Sequence, residues 1–443
     1  MATRPERGPR GPTAPPEREK RALAALQGGP LVRSGDPELA ALCVAALDVL
    51  RTDDPLELTH GFHSWPARFH PELPRRLLRA MPEARRVLDP FAGSGTTLVE
   101  AVCAGRAALG TDLNPLGVML ARLKAAPASE ARRRALVESA AEIAERALEA
   151  GKAVRRSAVR AARSNAGRPR ATRFDDPRCY PRHVYPELVT LRLAIDEAAP
   201  ADATPDWISP WLREALLLVL SSIVVKVSLQ RSDTDPRLIE RKVARGAAAR
   251  LFSVRASLLG DQLAAMARLI PAATPAPDVR AGDARHLDHV AAGSIDLVIT
   301  SPPYFGTYDY AAHHERRFGW VGLAAAAIAR FEQQEIGSRR GTTESETEAF
   351  VRWRADVDAY VGEIARVLAP GAMAFLLVGD SVVARRAIPG DGELRRAAAA
   401  CGLEAVASAS QRRIEPPRLV QGSAPAPYLP PRHEHLVALR KPR

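Results

Sequence analysis

Four consecutive residues, Ser301-Pro302-Pro303-Tyr304, directly follow the apolar run IDLVIT at 295–300. Such a run reads as a parallel strand buried on both faces, and two consecutive prolines withdraw two ladder donors and end it. What they leave at the strand's carboxyl end is a hydroxyl, carbonyls without a sheet partner, an aromatic ring and a backbone held stiff near φ of about −65°. Ligands of open α/β sheets bind outside that edge. Taken alone, the quartet reads more readily as a strand stop.

Three carboxylates bear on the choice. The stretch DPFAGSGTT places Asp89 at the end of an earlier strand and Gly93 and Gly95 in the turn before a helix. Glycine there admits positive φ and lets backbone approach a ligand closely. Leu98 stands where a third glycine would complete GxGxxG, and GxxxxGK[ST] is absent, which argues against a triphosphate hydrolase. The next strand ends in Asp112, 23 residues after Asp89, at the distance where an acidic side chain accepts both hydroxyls of a ribose. A third ends in Gly282-Asp283-Ala284, where Asp283 can take the exocyclic amine of an adenine. Each carboxylate singly also reads as a helix cap or turn former. Three at successive strand ends, with the glycine turn, imply an adenosine-bearing cofactor.

Seven strand-like segments position these residues: 86–90, 107–112, 278–284, 294–300, 372–380, 403–411 and 433–441. Helical patterns fill the space between the second and the third. The expectation is an α/β protein with one doubly wound, mostly parallel, seven-stranded sheet of Rossmann-like type and a large helical insertion. Residues 1–38, rich in Pro, Gly and Arg without apolar periodicity, read as a disordered tail, with neither the apolar core of a secretory signal nor the acid-poor character of a transit peptide. Residues 39–125 read as the cofactor-binding half, 126–275 as a basic helical insertion and 276–443 as the catalytic half.

The 443 residues carry a formal charge of +12, which points to a polyanionic partner. A GC-rich genome explains Arg over Lys but not the net excess. Arg155, Arg156, Arg160, Arg163, Arg168 and Arg170 crowd the Gly/Pro-broken stretch 151–183, which reads as a grip on phosphates or as a solvated linker. Arg316 and Arg317, after the SPPY quartet, are further candidates for phosphate contact. Cys43, Cys103, Cys179 and Cys401 are far apart, which fits a reducing cytoplasm and no disulfide or zinc framework. His60/His63 and His433/His435 have clamp spacing without acidic or cysteine company, so no metal is expected. The apolar run EALLLVLSSIVVKVSL at 214–229 is broken by serines and Lys226 and reads as a buried helix, so no membrane association is expected.

DPFAGSGTT, GTDLNP and SPPY together resemble the motifs of the S-adenosylmethionine-dependent methyltransferases that methylate exocyclic amines of DNA bases. The resemblance covers roughly residues 60–120 and 278–440. It implies S-adenosylmethionine held by Asp89, Phe91, Gly93, Gly95, Thr96, Thr97, Asp112, Asn114 and Asp283. HSWPARFHPELPRRLL at 63–78 is similar to the segment that closes over the methionine end, which adds His70 and Pro71. Ser301, Pro302, Pro303 and Tyr304 become the catalytic quartet.

An exocyclic amine is a poor nucleophile because its lone pair is delocalised into the ring. Acceptors on its hydrogens, the Ser301 side chain and the Pro302 carbonyl, favour tetrahedral nitrogen and stabilise the charge that develops. Tyr304 is then placed to stack on a base drawn out of the helix. Serine in the first position is the form usual for cytosine N4 methylation, Asp or Asn for adenine N6. No cysteine lies near the quartet, which disfavours methylation of a ring carbon. An RNA methyltransferase acting on a base amine is the alternative, although those enzymes usually carry an Asp-led motif and an amino-terminal RNA-binding domain. DNA is the expected partner; a recognition sequence and a restriction or defence partner are not named by these motifs.

Overall fold

The computed structural model describes residues 31–48, 54–161, 174–198, 209–306, 309–338, 345–383, 386–412 and 432–443. The described chain opens with strand β1 (Val32–Gly35) and helix α1 (Pro37–Leu47). Asp36 caps α1 by accepting from the amides of Glu38 and Leu39 at 3.1 and 3.0 Å, with Pro37 in the first turn. After α2 (Glu72–Ala80) come β2 (Arg86–Asp89), α3 (Thr96–Cys103), β3 (Ala107–Asp112) and α4 (Pro115–Ala125).

The insertion holds α5 (Glu130–Ala161), α6 (Val184–Ala198), α7 (Ser209–Val227), a hairpin of β4 (Gln230–Ser232) and β5 (Asp235–Leu238), and α8 (Ala247–Leu269). The sheet resumes with β6 (Asp278–Ala281) and β7 (Ile295–Thr300). Helices α9 (Tyr310–Val321), α10 (Ala325–Gln334) and α11 (Glu346–Val367) then lead to β8 (Leu368–Gly379). A small hairpin of β9 (Ser381–Val383) and β10 (Arg386–Ile388), helix α12 (Gly390–Ala400), β11 (Glu404–Arg412) and β12 (His433–Arg440) complete the order.

The main sheet runs β1-β11-β12-β8-β7-β2-β3-β6. Strands β8, β7, β2, β3 and β6 are parallel, whereas β12, β11 and β1 add on by antiparallel pairing. From β2 the chain moves outward through β3 to β6; from β7 it moves the other way to β8. The order therefore reverses between β2 and β7, and the crevice outside their carboxyl ends is the expected ligand position for such a sheet. Both faces are covered. Val87, Leu297, Phe375 and Leu436 pack into one cluster, while Leu88, Val298, Leu376 and Val437 pack into the other.

All seven expected strands are present, and an eighth, β1, comes from residues placed in the expected tail. VRSG has no apolar alternation and all four of its side chains are exposed. It is a strand because its main chain pairs antiparallel with β11, Val32 opposite Ser410, a cause that leaves no mark in hydropathy. Residues 1–30 lie outside the described residues. The insertion shares the core of the cofactor half: Leu216, Leu220, Ile223 and Val224 of α7 are fully buried in the same cluster as Leu98 and Leu120. The 214–229 run is thus a buried helix, and no described helix is long and apolar enough to cross a membrane.

The turn between β2 and α3 depends on glycine for a packing reason. Gly95 caps α3 at φ +86°, and a Cβ there would lie 2.9 Å from the Ala121 Cα of α4. Gly95→Ala is expected to lose about 1–3 kcal/mol through left-handed strain and displacement of α4, read as a Tm lower by several degrees. A melt superimposable on wild type would show that α4 yields freely at this contact.

Candidate functional site

Asp89, last residue of β2, is 1% exposed. Its Oδ1 accepts from the Thr300 hydroxyl at 2.6 Å and from the Phe91 amide at 3.1 Å. Thr300 ends β7 and precedes Ser301, so this carboxyl ties the glycine turn to the SPPY segment across the point where strand order reverses. Thr97 repeats the tie by donating to the Ile299 carbonyl at 3.1 Å. Burial pushes the Asp89 carboxyl up to about 6, against the hydrogen bonds from Thr300 and Thr97. Asp112, at the end of β3, accepts from the Gly93 amide at 2.6 Å and from the Asn114 amide at 2.8 Å. Burial raises it likewise to about 6, opposed by those two amides.

These strand ends open into a cleft of about 790 Å³ counted to its mouth, within the range of small-molecule pockets. Phe91, Gly93, Ser94 and Thr96 form its floor, and Asp112 and Asn114 its back. Residues 65–69 make one wall, and Ser301, Pro303, Tyr310, Phe331, Glu335 and Ile336 line the cleft as well. The Tyr310 amide donates to Glu335 Oε1 at 2.5 Å, fastening α9 to the segment after α10.

Trp65 anchors the wall. Its ring stacks on His314 of α9 at 4.2 Å between centroids, and a Cβ at Gly93 would come within 2.9 Å of its Nε1. Gly93, with φ +49°, therefore serves an indole of this chain as well as any ligand. Asn114 caps α4 through the Leu116 amide at 3.0 Å and meets His314 Nδ1 through its Nδ2 at 3.0 Å.

Two buried cations stand beside the floor. Arg68, in the cleft wall, donates to the carbonyls of His60 and Pro55. Burial pushes its guanidinium down to about 10. Lys124 is fully buried, donates to Ser94 Oγ at 3.2 Å, and is held well below the usual ammonium range by burial and then by the like charge of Arg68. Neither has a carboxylate partner among the described residues. The Thr96 hydroxyl, at the first position of α3, is buried with no hydrogen-bond partner.

Of the residues chosen from sequence, the cleft brings together Phe91, Gly93, Thr96, Asp112, Asn114, Ser301 and Pro303, with Asp89 beneath them. Gly95 and Thr97 support the turn from behind. Pro302 and Tyr304 instead line a smaller space of about 250 Å³ against Trp353 and Tyr360 of α11, and Pro303 borders both spaces. His70 and Pro71 do not line the cleft: they open α2, where His70 Nδ1 accepts from the Glu72 amide at 3.2 Å. Residues 65–69 of the same segment form the wall instead.

Asp283 is also absent from the cleft lining, to which its neighbour Ala284 contributes. Arg285 forks onto the Asp283 carboxylate, Nη2 to Oδ2 at 2.6 Å and Nε to Oδ1 at 2.9 Å, an occupant the next-but-one residue supplies. Arg316 and Arg317 are interior clamps rather than surface cations: Arg316 binds Asp175 at 3.0 Å and Gln230 at 2.6 Å, and Arg317, 1% exposed, pairs with Asp233. Arg155, Arg156 and Arg160 fall on the last turns of α5 where side chains are not described; Arg163, Arg168 and Arg170 lie outside the described residues. Of the clamp-spaced histidines, His60 meets Glu100 at 2.8 Å, His63 meets Ser221 at 3.0 Å, and His433 and His435 both meet Asp380.

Sequence reasoning missed Trp65, Arg68 and Lys124. A tryptophan and an arginine within the quoted 63–78 motif, and a lysine in a chain that otherwise avoids lysine, were the available signals.

The stretch that supplies wall, glycine turn and Asp112 has known relatives. Residues 48–121 match the family model described as DNA methylase. The chain is 41% identical over 75 residues to Type II methyltransferase M.MvaI of Kocuria varians, covering 16% of this chain and 16% of that protein. Over 80 residues it is 34% identical to Type II methyltransferase M.MjaII of Methanocaldococcus jannaschii, covering 18% and 15%. The matched stretch thus spans about one sixth of the length of these curated relatives. Among solved structures, TrmN from Thermus thermophilus aligns with 84% of this chain and 49% of its own at 13% identity and TM-score 0.29. TTHA0409, a putative DNA modification methylase from the same organism complexed with S-adenosyl-L-methionine, aligns with 37% and 52% at 20% identity and TM-score 0.21. The SPPY quartet and the insertion lie outside the methylase segment.

The raised pKa of Asp89 couples its protonation to folding. Its folded value, about 6, lies above 3.8, so the folded protein holds the extra proton and stability falls as pH rises through that window. Relative to wild type, Asp89→Asn is expected to gain about 2–3 kcal/mol between roughly pH 4 and pH 7. Denaturant melts at the two pH values measure this. A difference that does not change with pH would mean that Asp89 is charged in both states.

Proposed function

We propose that the chain is an S-adenosylmethionine-dependent DNA methyltransferase acting on a base exocyclic amine, with cytosine N4 as the target favoured by Ser301. The observation that carries the reading is the Asp89–Thr300 bond. It sets Ser301 at the rim of the same cleft into which the glycine turn and Asp112 open.

The residues present fit the cofactor. Asp112 faces the cleft with two main-chain donors fixing its carboxylate, and its remaining lone pairs suit a ribose diol. At the other end, Arg68, Thr96 and the Ser94 hydroxyl backed by Lys124 form a donor-rich corner without an acid, suited to an amino-acid carboxylate. The cofactor, when bound, supplies a methyl group made electrophilic by a sulfonium.

The rest falls to the chain. Ser301 and the Pro302 carbonyl accept from the target amine and leave its lone pair available for attack, while Pro302 and Pro303 prevent the acceptors from drifting out of line. Tyr304 and Pro302, bordering the smaller space by α11, offer apolar faces to a base turned out of the helix.

Ser301→Ala is expected to keep cofactor affinity and lose about a hundredfold or more in methyl transfer. Asp112→Ala is expected to weaken cofactor binding about ten- to a hundredfold, the loss of one charged hydrogen-bond acceptor. Cofactor titration and transfer of labelled methyl to DNA measure both, and sequencing that detects modified bases in cells expressing the protein assigns the base. Unchanged turnover in Ser301→Ala would leave SPPY as a strand stop.

A further inference from the structure

The insertion contains an element that neither the cofactor nor the catalytic motifs use. Strands β4 and β5 form a tight hairpin with Asp233 and Thr234 at its turn, Ser232 facing Asp235. Between this hairpin, the end of α7 and helix α9 runs an open groove of about 1290 Å³ counted to its mouth. Lys226, Arg231, Arg241, Lys242 and Arg317 line it, against Asp233 and Glu240.

Two acids line the groove, and one of them, Asp233, is already engaged. Asp233 accepts from the Ser64 hydroxyl at 2.6 Å and pairs with buried Arg317. Asp235, behind the groove, is forked by Arg237 at 2.8 and 2.6 Å, leaving Arg231 only a long 3.4 Å contact to it. Arg241 is structural, donating to the carbonyls of Lys226 and Val225 at 2.9 and 3.3 Å. Lys226 and Lys242 have no ion pair among the described residues. Burial first, then the like charges of Arg255 and Arg317, push the Lys226 ammonium down to about 8, with the charge of Asp233 opposing them in part.

The groove shares a wall with the cleft. Ser64 borders the groove and Trp65 the cleft; on α9, Arg317 borders the groove, Tyr310 the cleft, and His314 stacks on Trp65 between them. An extended polyanion lying in the groove therefore passes the cleft's rim.

We propose that this groove is the phosphate track for the substrate DNA strand, with Lys226, Arg231 and Lys242 as the phosphate-binding side chains beside the nucleotide delivered to the cleft. The proposal rests on the methyltransferase reading. It places phosphate contact on the hairpin side of the insertion in place of Arg316 and Arg317, which are engaged by Asp175 and Asp233.

The test is a triple variant, Lys226→Ala with Arg231→Ala and Lys242→Ala, titrated with a mixed-sequence duplex over a range of salt concentrations. Each lost phosphate contact is expected to lower the slope of log affinity against log salt by about 0.9, so by up to about 2.7 for three. S-adenosylmethionine affinity, measured alongside, should stay at the wild-type value and show that the fold is intact. A wild-type salt slope in the variant overturns the track even where wild type methylates DNA. Wild type that prefers RNA over duplex, with that preference lost in the variant, overturns the DNA assignment. Wild type that neither binds cofactor nor methylates DNA removes the parent reading instead.

Discussion

The carboxyl of Asp89 sits where the two halves of the sheet meet, and the rest of the site is arranged around it. Its hydrogen bond to Thr300 spans a gap of 211 residues in sequence, yet fixes a catalytic candidate one residue further on. A buried carboxyl with only neutral donors is costly to ionise, and the hydroxyls of Thr300 and Thr97 offset part of that cost. Parallel pairing of β2 with β7, Leu88 opposite Val298, brings the two within reach. The side chains then hold turn and quartet at a common level.

The insertion is less separate than its position in the sequence implies. Helix α7 lies within the core, contributing to the same apolar cluster as α3 and α4. The segment with Trp65 runs along it, with His63 bonded to Ser221 of α7. The cleft wall is thus built on the insertion as much as on the segment 48–121.

Much of the fold could be read from the chain because buried parallel strands leave a plain trace: IDLVIT is almost continuously apolar and AMAFLLVG wholly so, since both faces are covered. The edge strand β1 left none, being held by main-chain pairing. The floor of the site was legible for a related reason, since turn glycines and strand-end acids are local chemistry. The wall was not. Choosing Trp65 and Arg68 over His70 requires knowing where α2 begins, and a one-turn error there exchanges the cleft lining for a helix cap. Arg316 and Arg317 show the same limit: charge in a sequence says nothing about whether Asp175 and Asp233 fold back to meet it.

Trp65 faces two ways, its ring wedged between the glycine turn and His314 while the preceding hydroxyl reaches to Asp233 of the hairpin. Were ligands to bind on both sides of such a wall, the indole is the element through which each would sense the other. Any tilt of the indole favoured by one alters the other's binding free energy, and thermodynamic linkage makes that effect equal in both directions. One stacked indole thus separates the cleft from the Ser64–Asp233 bond that ties the hairpin to the same segment.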